Sequence, residues 1–185
     1  SAELLKPYLR GRDVGKWAVA NPNLWLCYIG WEVPIEEFPA IHEHIRQFER
    51  ELKSRPEVKE GRVPWFALSR YASDYWQEFQ KPKILYQEIA TYQGFAWDTS
   101  GSYVNNKLYL IPDADFLLLA ILNSSACWWF LGNTATKLQG GAYQMQTPYV
   151  SQIPIPTAPA AERTAISALV QKCLDARGQG AGVAD

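Results

Sequence analysis

Histidine, cysteine and methionine are all scarce in this 185-residue chain, which holds two, three and one of them. His42 and His44 stand two apart in a segment of helical periodicity, so their rings face different directions. A shared metal site on one helix needs a spacing of three or four. Cys27, Cys127 and Cys173 are odd in number and form no Cys-x-x-Cys or Cys/His spacing, which excludes a disulfide framework and a zinc site. They are expected to be small buried hydrophobes in a reduced compartment. No long apolar run is present either. Phe116–Leu122 is the longest, far short of the roughly 20 residues that a membrane helix needs. No signal peptide opens the chain, so a cytoplasmic location without a membrane partner is expected. The opening Ser1-Ala2 in place of Met points to a piece of something longer.

Positive charge is also lacking. Eighteen Lys and Arg face nineteen Asp and Glu, for a net charge of −1 and a pI near 6.1. A self-sufficient nucleic-acid binder carries a basic excess, because phosphate neutralisation supplies most non-specific affinity. If this chain binds DNA, its cations are gathered on one face or another domain shares the grip. Catalytic signatures are missing as well. The one Gly pair, Gly140-Gly141, follows no hydrophobic strand and is no nucleotide fingerprint. There is no Gly-x-Ser-x-Gly elbow, no His-Glu-x-x-His and no Asn-Pro-Pro-Tyr-like motif. The carboxylate pairs Glu36-Glu37 and Asp113/Asp115 are better read as helix N-terminal charges than as catalytic pairs. Lys83 and Glu88 stand in the wrong order for a nuclease Glu-x-Lys pattern, and the acidic metal ligands are missing.

What is present is apolar and aromatic: 48% hydrophobic residues and 14% Phe, Trp and Tyr, enough for one domain with a genuine core. Two β-rich runs, residues 14–20 and 24–29, flank the turn Asn21-Pro22-Asn23 and predict a hairpin with Trp17, Trp25 and Trp31 in its core. Ile41, Ile45, Phe48 and Leu52 recur at helical spacing and predict one helix from Pro39 to Arg55, stopped by Pro56. A short helix is expected from Ser73 to Phe79, capped by Ser73 or Asp74. Strands are expected over residues 83–89, 95–97, 102–104 and 107–111. Residues 113–131 predict a leucine-rich helix broken at Asn123-Ser124. Residues 132–149 carry no periodicity and are expected to form a long loop. Ile153-Pro154-Ile155-Pro156 is a rigid exit into a final helix from about Ala160 to Arg177. The irregular mixing of elements predicts an α+β fold: a single mixed domain with irregular β-sheets, peripheral helices and a C-terminal helix. The expected organisation is a body over residues 1–156, a helix over 157–177 packing on it or on a partner domain, and a flexible tail over 178–185.

Several blocks carry a resemblance. They are Leu4-Leu5-Lys6-Pro7-Tyr8-Leu9-Arg10-Gly11-Arg12-Asp13-Val14, Lys81-Pro82-Lys83-Ile84-Leu85-Tyr86-Gln87-Glu88-Ile89, Tyr103-Val104-Asn105-Asn106-Lys107-Leu108-Tyr109-Leu110-Ile111, Leu118-Leu119-Ala120-Ile121-Leu122-Asn123-Ser124 and Tyr149-Val150-Ser151-Gln152-Ile153-Pro154-Ile155-Pro156. Together and in this order they resemble the TaqI-like C-terminal specificity domain of adenine-specific DNA methyltransferases, which also occurs in type IIG restriction enzymes. The resemblance implies a non-catalytic target-recognition domain that binds double-stranded DNA. It further implies an N-terminal methyltransferase domain of the same parent chain, holding S-adenosylmethionine and, in some parents, accompanied by endonuclease activity. Residues 94–101 and 132–149 match no family pattern, and related domains differ in such segments.

Within that reading, Arg10 and Arg12 are candidates for phosphate contact or domain docking, against a solvated pair or an Arg12–Asp13 salt bridge. Lys81 and Lys83 are phosphate candidates, against plain solvation. The run from Asn133 to Gln146 offers Lys137, Gln139, Gly140, Gly141, Tyr143 and Gln144 for DNA contact. Gln and Asn pair bidentately with adenine in the major groove, and glycine admits close backbone approach. The alternative for that run is an ordinary polar loop. For Trp128-Trp129, one ring is expected in the core and the other against a partner domain. A carbohydrate-binding or protein-interaction module using exposed aromatics is the alternative for the whole chain.

Overall fold

The computed structural model describes residues 2–177, so the predicted tail over 178–185 lies outside the described residues. The architecture is α+β, with three small sheets and helices on their flanks. The central strand is β3 (Lys83–Gln87), antiparallel to β5 (Ala96–Asp98) on one side and to β7 (Leu108–Pro112) on the other. Its run Lys-Ile-Leu-Tyr shows no polar alternation because both faces are covered. Ile84 and Tyr86 point into the main core, with Phe95, Leu119, Leu122, Leu131 and Met145. Leu85 points the other way, against Leu9, Val14, Ala96 and Leu108.

The main core is roofed by α5 (Phe116–Leu122), α6 (Ser125–Thr134) and α8 (Ala160–Arg177). Local chemistry sets the break between the first two. Asp115 accepts from the Leu118 amide at 2.8 Å and starts α5, while Ser124 accepts from the Cys127 amide at 3.1 Å and starts α6. The helices bend by 59° there. Asn123 stays buried at the bend and clasps Phe95, accepting from its amide at 3.2 Å and donating to its carbonyl at 2.8 Å. The C-terminal helix α8 packs on α5 through Ile166, Val170 and Leu174, and Arg163 reaches Asp115 at 2.6 Å. Among the described residues no single helix is long and apolar enough to cross a membrane.

A second sheet joins β1 (Leu5–Leu9) antiparallel to β2 (Trp25–Cys27) and parallel to β6 (Tyr103–Val104). Beside it Leu4, Ile29, Ile35, Ile41, Ile45 and Val63 form a separate small core. The third sheet is a two-stranded ribbon, β4 (Ile89–Ala90) with β8 (Tyr143–Gln144).

Several expectations are corrected. The predicted hairpin of residues 14–20 with 24–29 does not form; β2 pairs with β1, and residues 14–20 make only isolated bridges, Val14 to Val19 and Trp17 to Ala96. Trp25 and Trp31 are therefore exposed, at 60% and 41%, rather than core, while Trp17 packs half-buried at the main core. The helix predicted over Pro39–Arg55 is split into α1 (Pro39–Arg46) and α2 (Glu49–Lys53), because Phe48 leaves helical geometry at φ −109°, ψ 9°. Pro56 starts a further turn, α3 (Pro56–Lys59), since a proline fits the first helical position. The short helix α4 (Trp76–Gln80) begins later than predicted, behind Tyr75, and neither Ser73 nor Asp74 caps it. Residues 132–149 are not a long loop: they contain the end of α6, β8 and α7 (Thr147–Val150).

Candidate nucleic-acid interface

The segment after α6 turns back on itself. The Leu138 amide donates to the Ala142 carbonyl at 2.8 Å and the Gln144 amide to the Thr136 carbonyl at 2.9 Å, which closes a hairpin over residues 136–144. Lys137 bridges to Tyr143 across it. Gly140 and Gly141 form the tip at φ 75° and 76°, a left-handed conformation that side chains rarely tolerate. A Cβ at either position would meet nothing within 4 Å, so the tip projects freely. Lys137, Gln139, Gly140 and Gly141 are all exposed around it.

Behind the tip the hairpin continues into the β4–β8 ribbon, where alternation sorts the side chains. Gln144 stands opposite Ile89, which is 47% exposed, so both lie on the outer face. Tyr143 pairs with Ala90 on the inner face and packs edge-on against Trp128, ring centroids 5.0 Å apart. Tyr143 thus supports the hairpin with its ring half-buried. Trp128 is held there while Trp129, next in sequence, is 71% exposed.

The Arg10–Gly11–Arg12 turn reaches the ribbon through Lys107. A Cβ at Gly11 would lie 3.8 Å from Lys107 Cβ, the Lys107 ammonium pairs with Glu88 at 2.8 Å, and the Glu88 carbonyl accepts from the Met145 amide at 2.7 Å. Arg10 is not free. Its guanidinium pairs with the buried Asp13 carboxylate at 3.0 Å, and its amide donates to the same group at 2.8 Å, fixing a 3-10 turn over Gly11–Asp13. The Arg10 hydrogen bond holds the Asp13 carboxyl below its ordinary range. The salt bridge runs from Arg10, not Arg12. Among the described residues Arg12 and Lys137 are exposed and form no ion pair within 4 Å. Lys107 was not singled out in the sequence; a cation directly after the Asn105-Asn106 turn and before a strand was the available signal.

The remaining two candidates lie elsewhere. Lys81 is exposed at the end of α4 and pairs with Glu78 at 2.7 Å, one β3 length (about 17 Å) from the Glu88 end of that strand. Lys83 is corrected outright. Its side chain is fully buried and its ammonium lies 2.6 Å from both the Asp98 carboxylate and the Phe79 carbonyl. Lys83 and Asp98 are register partners on β3 and β5, so the ammonium is consumed inside the sheet and reaches no phosphate.

Among the described residues no group of three or more His, Cys, Asp and Glu side chains is placed to hold a metal ion. The arrangement offers amides, glycine backbone and a few cations: a surface for recognition.

Comparison with known proteins agrees in extent. A family model described as the TaqI-like C-terminal specificity domain matches residues 6–155. Two solved structures share the fold. One is the type IIL restriction-modification enzyme MmeI in complex with DNA, with TM-score 0.67 and 16% identity over 98% of this chain. The other is the type IIG restriction endonuclease BpuSI, with TM-score 0.60 and 9% identity over 93% of this chain. The chain spans 24% and 21% of those two proteins.

Proposed function

Because the chain belongs to the TaqI-like C-terminal specificity domain family and is a DNA target-recognition domain, we propose that it selects the target sequence for a larger adenine-specific methyltransferase or restriction–modification enzyme. The observation that carries the reading is the free hairpin at residues 136–144. A two-stranded ribbon fits the major groove, where base edges are distinguishable. Gly140 and Gly141 let backbone approach the duplex, and Gln139 and Gln144 supply amides that pair bidentately with adenine. Arg12, Lys137 and the partly engaged Arg10 and Lys107 contact phosphates and set register. Lys81, at a distance, adds at most a peripheral phosphate contact.

The low positive charge fits a shared task. A catalytic lobe of the same parent chain holds S-adenosylmethionine and extrudes the target adenine, and this domain grips the flanking duplex in the cytoplasm. Residues 1–156 form the reading unit, and the helix over 157–177 braces its α5 side toward that lobe. Endonuclease activity in the parent is compatible with the same division of labour.

The reading is tested by titrating the chain with duplex DNA at several salt concentrations. Binding is expected to be weak and to fall steeply with salt, with a slope set by only a few phosphate contacts. Salt-independent binding, or binding to a glycan array with none to DNA, overturns it.

A further inference from the structure

Ile89 shares the outer face of the β4–β8 ribbon with Gln144 and is 47% exposed. It belongs to none of the three cores. Its neighbour Ala90 and the cross-strand Tyr143, on the inner face, both pack against the main core. The ribbon is therefore held from its inner side, and the fold gains little from a large apolar side chain at position 89. A β-branched residue suits a strand, but threonine would supply the branching without exposing an isobutyl-sized apolar group to water.

The register gives this side chain a neighbour of different chemistry. Ile89 and Gln144 are direct cross-strand partners, so their Cβ atoms lie about 4.5–5.5 Å apart on one surface. The residue before Ile89, Glu88, is paired with Lys107 at 2.8 Å, so its carboxylate is neutralised beside the pair and does not repel phosphate. The strand that carries Gln144 leads back to the exposed Gly140-Gly141 tip. An amide and a branched apolar group side by side match the major-groove edge of one base pair. Adenine presents N7 and N6 to an amide, and its partner thymine presents O4 and a C5 methyl. Of the base-edge groups in that groove, only this methyl is apolar.

We propose that Ile89 is a specificity-determining residue: it packs on the C5 methyl of the thymine whose adenine is paired by Gln144, so that the two side chains read both halves of one A·T pair. The inference rests on the proposed reading of DNA by the hairpin and adds the base of the second strand to it. A G·C pair in either orientation sets polar edges against Ile89. An inverted T·A pair sets the adenine amine against Ile89 and the methyl against the amide, so the combination also fixes which strand carries the adenine.

The test uses the full-length parent and duplexes of its recognised sequence in which each thymine is replaced in turn by deoxyuridine, which lacks only the C5 methyl. Equilibrium titration reads the affinity. At the base pair whose recognition Gln144→Ala relaxes, uracil is expected to weaken binding by the unaltered parent about fourfold, the worth of burying one methyl group. Ile89→Ser is expected to bind the thymine and uracil duplexes alike, and Ile89→Val to keep most of the preference. The preference is a ratio measured on one protein sample, so a variant with a smaller folded fraction does not imitate its loss. Selective binding in which no uracil substitution matters, or in which Ile89→Ser keeps the preference, overturns the role of Ile89 and leaves the DNA reading intact. A methyl effect that Ile89→Ser removes at a pair unaffected by Gln144→Ala overturns the shared A·T pair. Binding that is equal for all duplex sequences overturns the DNA reading itself.

Discussion

Removing the Lys83 ammonium separates a structural from a DNA-binding role for this residue. In Lys83→Met the Asp98 carboxylate stays fully buried and loses its cation. It keeps only Ser100, whose amide and hydroxyl lie 3.0 Å and 2.5 Å from the other carboxylate oxygen. The Phe79 carbonyl loses a donor as well. Breaking a buried pair from one side costs about 3–5 kcal/mol, because an uncompensated charge remains, whereas replacing both partners by apolar side chains is often neutral. Lys83→Met should therefore destabilise by about 3–5 kcal/mol, and Lys83→Met combined with Asp98→Leu should recover most of it. Urea unfolding followed by tryptophan fluorescence reads this, with Trp97 adjacent to the pair in sequence. The salt slope of DNA binding should be the same in the folded double variant as in the parent. A loss below about 1 kcal/mol in the single variant would refute the argument, as would an unchanged stability with a slope reduced by roughly one ion.

Three further outcomes follow from buried groups. The Asp13 carboxyl is held low by Arg10, so its stabilisation is complete above the unfolded carboxylate pKa of about 3.9 and is lost as pH falls through the folded value. Asp13→Asn should lower stability more at pH 7 than at acid pH, read by thermal unfolding across pH. Burial pushes the Cys127 thiol up to about 11. It should resist iodoacetamide at pH 8 in the native state, with roughly one part in a thousand as thiolate, and react on unfolding, as peptide mass mapping would show. Asn123→Ala strands the amide of Phe95 inside the core, while its carbonyl keeps the Trp17 amide at 2.9 Å. An orphaned buried amide costs about 1–3 kcal/mol, so chemical denaturation should show a loss of about that size.

Local chemistry made much of the helical structure legible in sequence. Asp115 and Ser124 cap by reaching three residues ahead, so the break at Asn123 could be read directly. The final helix likewise follows its proline-rich exit. What long-range pairing decides was not legible. Residues 143–144 become a strand only because Ile89–Ala90 lie beside them, more than fifty residues earlier in the chain. Lys83 resembles a surface cation until the β3–β5 register places Asp98 opposite it. The strand Leu5–Leu9 contains a proline and gave no periodic signal, yet it centres a sheet. The sequence singled out Gln139, Gly140 and Gly141 in one run, and they lie at the exposed tip of the hairpin. It left open that Tyr143 faces inward, which depends on pairing parity in the ribbon, and that Lys107 joins the face.

The central claim is that the hairpin at residues 136–144 reads base pairs. It is tested most directly by sequencing the sites modified in cells carrying the full-length parent, unaltered or with Gln139→Ala or Gln144→Ala. A lost bidentate amide contact costs about 1–3 kcal/mol at one base pair. The account predicts that at least one variant relaxes a single position of the recognised sequence while the others stay fixed. Unchanged specificity at full activity in both variants would contradict it.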